Sequence, residues 1–242
     1  MALNPNRYAA TAGTVSQEEI DSGLRSYMLR VYNYMALGVA LTGGLVFAMA
    51  NDITLLQAAF DAKWIIFIAL IGMGFFSHKI ITMRSTVAAH VFYWAYCALW
   101  GVLIAPMVAG FLQQDPALVA RAFFITTGMF AGISLFGYTT KKNLSAFATF
   151  FMMASIGLLI AILVNVFFLQ STMFSLVTSG AVVLLFAGIT AWETQMIKNM
   201  YMENLGDSQI TKYALFGALM LYGSFVTMFI HILNILAILR GE

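Results

Sequence analysis

The sequence predicts an all-α polytopic membrane protein of seven transmembrane helices. Three observations carry that prediction. Of the 242 residues, 62% are hydrophobic and 9% charged, whereas soluble domains sit at about 45–50% apolar and about 25% charged. Mean hydropathy is +0.89. The apolar residues also fall into seven runs of about 20 residues, the length a helix needs to cross about 30 Å of hydrocarbon. A soluble fold has no interior large enough to hide this much apolar surface, so the lipid bilayer is the expected solvent and partner. A net charge of +2 leaves no electrostatic footprint for nucleic acid. The single Cys97 excludes an intramolecular disulfide.

Taken in order, residues 1–27 read as a polar cytoplasmic tail carrying Arg7, Glu18, Glu19, Asp21 and Arg25. It has no apolar core of signal-peptide type, so the first span is expected to stay as an anchor and residues 28–242 to form a single transmembrane domain. The expected spans are 29–50, 60–82, 86–110, 117–138, 144–168, 172–197 and 213–239. The second is the least clean, because Asp61, Lys63, His78 and Lys79 crowd its ends. Connections are short. The longest, between Lys198 and Lys212, holds a Gly206-Asp207-Ser208 turn signal. There is no internal repeat, and seven spans do not divide into two equal inverted halves. Gly128 and Gly132, four apart in the fourth span, have the spacing of a close helix-packing motif.

Orientation follows from lysine and arginine. An odd number of spans puts Arg7, Arg25, Arg30, Lys79, Arg84, Lys141, Lys142, Lys198 and Lys212 on one side, and Lys63, Arg121 and Arg240 on the other. The amino terminus is therefore expected in the cytoplasm and the carboxyl terminus across the membrane.

Two features could carry chemistry. Glu193 lies in Thr190-Ala-Trp-Glu-Thr-Gln195, inside the cytoplasmic end of the sixth span. An ionisable group at membrane depth is costly and points to function with a partner; the plainer alternative is a carboxylate near enough to the interface to find water. In the seventh span Ser224, Thr227, His231 and Asn234 recur at intervals of three, four and three, so they share one helical face. That stripe fits a hydrated path or a cation site, and equally fits interhelical hydrogen-bond glue. Glu193 and Ser224 are equally distant from the turn at Asp207–Ser208, so antiparallel helices would hold them at similar depth.

Enzyme readings find no support. His78 and His90 have no ligand spacing, and no zinc-protease, serine-hydrolase or phosphate-loop motif is present. The seventh span has no lysine for a retinal Schiff base. No cofactor is expected, with a calcium ion as the exception considered below.

Three stretches resemble the Bax inhibitor family of bacterial membrane proteins: Thr127–Ser145 across the fourth span and its loop, Thr190–Met200 in the sixth span, and Lys212–Tyr222 opening the seventh. Gly101 and Pro106 in the third span match more weakly. In the loop, Gly137 and Tyr138 are expected to close the fourth helix and Asn143 to cap the fifth. The resemblance implies seven helices with the last one central and, in some bacterial members, a calcium leak gated by pH through two buried aspartates. The first aspartate corresponds to Glu193. The second falls in a family motif, Leu-Tyr-Leu-Asp-Phe-Ile-Asn, which here reads Leu221-Tyr-Gly-Ser-Phe-Val-Thr227, so Ser224 replaces it. With one carboxylate, Glu193 is expected to be at most a weak calcium ligand. His231 is the nearest titratable group on the same face that could substitute. The resemblance implies a pH-sensitive calcium leak or its degenerate relative in a bacterial inner membrane. Its alternative is a non-conducting regulator that binds another membrane protein, such as a membrane protease.

Overall fold

The computed structural model describes residues 17–202 and 205–241. Most of the polar tail, with Arg7, lies outside these. Among the described residues the chain forms helices and no strands. Helix α1 runs Gln17–Met49, α2 Ile53–Asp61, α3 Lys63–Phe76, α4 Lys79–Thr82, α5 Thr86–Gln114, α6 Pro116–Thr139, α7 Ala148–Val164, α8 Thr172–Asn199 and α9 Asp207–Arg240. Six helical stretches are long and apolar enough to cross a membrane by themselves, and a bent pair, α2 with α3, supplies a seventh.

The boundary expected at residue 28 falls inside α1, which begins at Gln17. The extension has a packing partner. Gly23 leaves no room for a side chain beneath the Tyr201 ring, and Tyr27 stacks on the same ring with centroids 5.7 Å apart. The seventh span likewise starts early, at Asp207 rather than at 213. Its first turn is tied down by Arg30, which reaches Asp207 at 2.9 Å and Thr211 at 3.0 Å.

The second span bends by 63° at Ala62. No proline sits there; the charges on either side, Asp61 and Lys63, explain the break, because neither is stable in hydrocarbon. Asp52 caps α2 by accepting from the Thr54 and Leu55 amides at 2.9 and 3.1 Å. Lys63 folds back over the Phe60 ring, 3.4 Å from its centroid. The bent pair of α2 and α3 is the candidate for this crossing, a broken span or a re-entrant loop. Gly128 and Gly132 make no close helix contact among the described residues of this chain, since a Cβ added at either meets nothing within 4 Å. Gly137 is the close-packing glycine of α6. It does not close the helix, which continues to Thr139, but lies so close to α8 that an added Cβ would collide with the Ala191 carbonyl.

Helix α9 is the centre of the bundle and packs on α8, α1, α6, α5 and α4. Leu215, Leu221, Tyr222, Met228 and Leu233 on it are fully enclosed. Helix α7 is its opposite: it packs mainly on α8 and has no buried residue. A helix that is apolar all round and unburied by protein is stable only in lipid.

At one end of the bundle, basic and amide side chains close the connections. Gln195 accepts from the Leu144 amide at 2.8 Å and donates to the Lys142 carbonyl at 2.8 Å, so α8 holds the loop after α6. Asn143 caps the short 3-10 turn Leu144–Phe147 through the Ser145 amide. Lys198 donates to the Tyr138 carbonyl at 2.9 Å, and Lys212 to the Met83 carbonyl at 3.0 Å. Both ammonium groups sit where helix ends present unsatisfied carbonyls and the negative pole of the dipole.

Candidate functional site

Ser224 on α9 donates a hydrogen bond to Oε2 of Glu193 on α8, 2.7 Å away. Both residues are buried, Glu193 at 7% exposure and Ser224 at 2%. The contact forms where α8 and α9 pack side by side, although Glu193 lies six residues before the end of α8 at Asn199 and Ser224 seventeen residues after the start of α9 at Asp207. Among the described residues Glu193 has no cationic partner, and the Ser224 hydroxyl is its hydrogen-bond donor. A buried carboxylate with one neutral donor has little to hold its charge.

The neighbouring position shows how the site departs from the family motif. Gly223 stands where the motif has leucine. A Cβ there would lie 3.4 Å from the Tyr96 hydroxyl, so Tyr96 of α5 fills space that a leucine side chain would need. Tyr96 and Tyr222 are edge to face, centroids 6.0 Å apart. Tyr222 in turn reaches Thr42 of α1 at 2.5 Å and the Cys97 carbonyl at 3.3 Å. Tyrosines from α5 and α9 thus wall the pair on the side away from α8.

The rest of the polar stripe does not converge on Glu193. Thr227 donates to the Gly223 carbonyl of its own helix at 2.8 Å. His231 lies seven residues beyond Ser224, about 10 Å along the helix, and its Nδ1 is 3.1 Å from Ser179 Oγ. Asn234 donates to Ser175 and Ser179 at 3.0 and 2.9 Å. Ser179 can accept from Asn234 and donate to Nδ1, an arrangement that suits a neutral imidazole. His231 therefore belongs to a second polar cluster and does not stand in for the missing carboxylate. It also faces, with Thr227, a cavity of about 520 Å3 lined by α3, α5, α7, α8 and α9.

Beside Glu193 runs a chain of hydroxyls that single-residue reading missed. Thr194 donates to the Thr190 carbonyl at 2.8 Å, so Ser134, 2.9 Å away, must donate to Thr194. Tyr32, 2.6 Å from Ser134, must then donate to Ser134. The chain joins α1, α6 and α8, and Gln195 on the same segment clamps the loop. Each of these residues is ordinary in sequence; the crowding of Thr190, Thr194 and Gln195 on one stretch of α8 was the signal available, and Tyr32 and Ser134 carried none. Among the described residues no group of three or more His, Cys, Asp or Glu side chains gathers as a metal site.

The model of a family described as "Inhibitor of apoptosis-promoting Bax1" matches residues 24–241. The chain belongs to the Bax inhibitor family. Relatives include an uncharacterized protein of Rickettsia prowazekii (strain Madrid E), 34% identical over 232 residues, which are 95% of this chain and 97% of the relative. A Deinococcus radiodurans protein is 33% identical over 91% of this chain and 94% of its own length. The protein named inner membrane protein YbhL of Escherichia coli (strain K12) is 33% identical over 88% of this chain and 92% of its own. The family match runs from residue 24, inside α1, to residue 241, just past the end of α9. This Bax inhibitor family member therefore shares its relatives' whole membrane domain.

Proposed function

We propose that the chain is a pH-sensitive ion leak of a bacterial inner membrane, passing calcium, and that protonation of Glu193 controls it. The carrying observation is the buried Glu193–Ser224 pair between the central helix and α8. Desolvating a carboxylate is costly, and a lone hydroxyl offsets little of that cost. Calcium takes 6–8 oxygens, usually with several carboxylates. One carboxylate and a hydroxyl bind it weakly, which suits brief passage better than storage. On this reading the protein carries out no catalysis. The inner-membrane compartment is supported by the name of the Escherichia coli relative, and a cytoplasmic amino terminus by the charge bias.

The test is calcium flux into proteoliposomes of purified protein, read from about pH 5 to 8. Wild type is expected to show a pH-dependent flux, and Glu193→Gln, which keeps the shape and loses the titration, a flux without that dependence. An unchanged pH profile in the variant sinks the reading.

A second reading, a non-conducting regulator that docks another membrane protein, draws on one observation: Ser224 occupies the position of the family's second aspartate. It expects no flux above empty liposomes at any pH.

A further inference from the structure

Between α1 and α6, at the end of the bundle where Gln195 and Lys198 close the connections, lies a groove of about 690 Å3. Its walls are Met28 and Leu29 from α1, and Phe130, Ala131 and Leu135 from α6. Leu29 is 53% exposed and Leu135 64% exposed, so the groove opens sideways, toward the lipid. A cleft of this size and apolarity is within the range that binds small ligands, about 300–1,000 Å3.

Its rim is charged. Arg25 stands at one end of the groove, exposed, with no hydrogen bond or ion pair to a described residue. Arg30, by contrast, is held by Asp207 and Thr211. Tyr138 completes the rim from α6, and the Lys198 ammonium lies 4.7 Å from its ring centroid. Deeper in, Tyr32 and Ser134 line the wall, and the hydroxyl chain has already assigned the Tyr32 proton to Ser134. The Tyr32 hydroxyl therefore offers no proton to a ligand, and recognition falls to the rim. A guanidinium without a partner among the described residues, at the mouth of an apolar groove and at the membrane surface, is complementary to one kind of molecule: an acyl chain that ends in a phosphate. Arginine grips phosphate through paired charge-assisted hydrogen bonds, and basic pockets between transmembrane helices bind anionic head groups.

We propose that the α1–α6 groove is a binding site for one anionic phospholipid, its acyl chain against Met28, Leu29, Phe130 and Leu135 and its phosphate on Arg25 beside Lys198. A zwitterionic lipid carries its own ammonium next to the phosphate and gains less from that rim. Tyr32 and Ser134 of the groove wall belong to the hydroxyl chain beside Glu193, but lipid binding at the rim does not depend on conduction.

Native mass spectrometry of the full chain in detergent tests this directly, with titrations of phosphatidylglycerol and phosphatidylcholine of identical chains. Wild type is expected to retain one phosphatidylglycerol, with about five- to tenfold preference over phosphatidylcholine. Arg25→Gln is expected to bring that preference close to unity. Arg121→Gln, the same charge change about 25 Å further along α6, is expected to leave it intact. Ala131→Trp, which fills an exposed part of the groove, is expected to weaken both lipids. Equal binding of the two lipids by wild type overturns the proposal, as does a preference that survives Arg25→Gln or binding that is indifferent to Ala131→Trp. Glycerol 3-phosphate competing as well as the lipid does would mean a free-anion site, and also overturns it.

Discussion

At the scale of single residues, the Glu193–Ser224 contact separates charge from shape. Ser224→Ala leaves the carboxylate without its donor, and an unsatisfied buried polar group costs about 1–3 kcal/mol. Thermal unfolding in detergent is expected to report that loss for Ser224→Ala and little change for Glu193→Gln, whose amide oxygen still accepts from Ser224. Ser224→Asp does the reverse and restores the second carboxylate of the family motif. Two carboxylates this close titrate as a pair that shares a proton. A new pH-dependent transition in Trp192 fluorescence is therefore expected for that variant, absent or weaker in wild type. Calcium is expected to move it to lower pH, because a metal favours the deprotonated pair. Identical titrations for the two proteins would refute a shared proton at this contact. The proximity of Glu193 and Ser224 was expected from counting both to a turn at Asp207–Ser208; the contact is present, yet the helix ends put Glu193 six and Ser224 seventeen residues from the connection, so the count does not explain it. The destination of His231 and Asn234 was not legible in sequence. Their partners Ser175 and Ser179 are fixed by how α8 and α9 cross, and periodicity carries no information on crossing.

At the scale of elements, glycine spacing pointed to the wrong place. Gly128 and Gly132 have the motif, yet face open space; Gly137, with no motif partner, is where α6 meets the α8 backbone. Gly137→Ala is expected to force the two helices apart, at a cost of about 1–3 kcal/mol. Gly128→Ala and Gly132→Ala are expected to stay within about 0.5 kcal/mol of wild type. Melting temperatures in one detergent decide this, and equal losses at all three positions would contradict the packing described. Gln195→Ala is expected to loosen the loop without moving the helices, seen as faster hydrogen exchange at Lys142–Ser145 and unchanged exchange in α9. The seven apolar runs were readable because lipid demands whole helices. Their ends were not: α1 extends back to Gln17 because Tyr201 packs on Gly23 and Tyr27, a tertiary contact that a hydropathy window cannot see. The bend at Ala62 was not anticipated: in sequence Asp61 and Lys63 only crowd the end of the second span, whereas the chain breaks between them by 63°.

At the scale of the whole molecule, both ends of the central helix are pinned by ion pairs to elements far away in sequence. Arg30 reaches Asp207 at its start, and Arg240 reaches Asp115 at its finish. A helix of 34 residues is about 50 Å long, longer than the hydrocarbon, so these pairs belong to opposite faces of the bilayer. The loop between α5 and α6 then shares a face with the end of α9, and the loop after α6 shares one with its start. Eight of the eleven lysines and arginines among the described residues belong with that second face, the bias from which a cytoplasmic placement of these loops is expected. Cysteine labelling in whole cells tests the arrangement: Lys141→Cys and Arg121→Cys, each in a Cys97→Ser background, are read with a reagent that does not cross membranes. Arg121→Cys is expected to label from outside, and Lys141→Cys only after permeabilisation. The reversed pattern would invert the orientation while keeping seven crossings. Labelling of both from outside would be fatal to the seven-crossing path itself, because α6 would then fail to span the bilayer between residues 121 and 141.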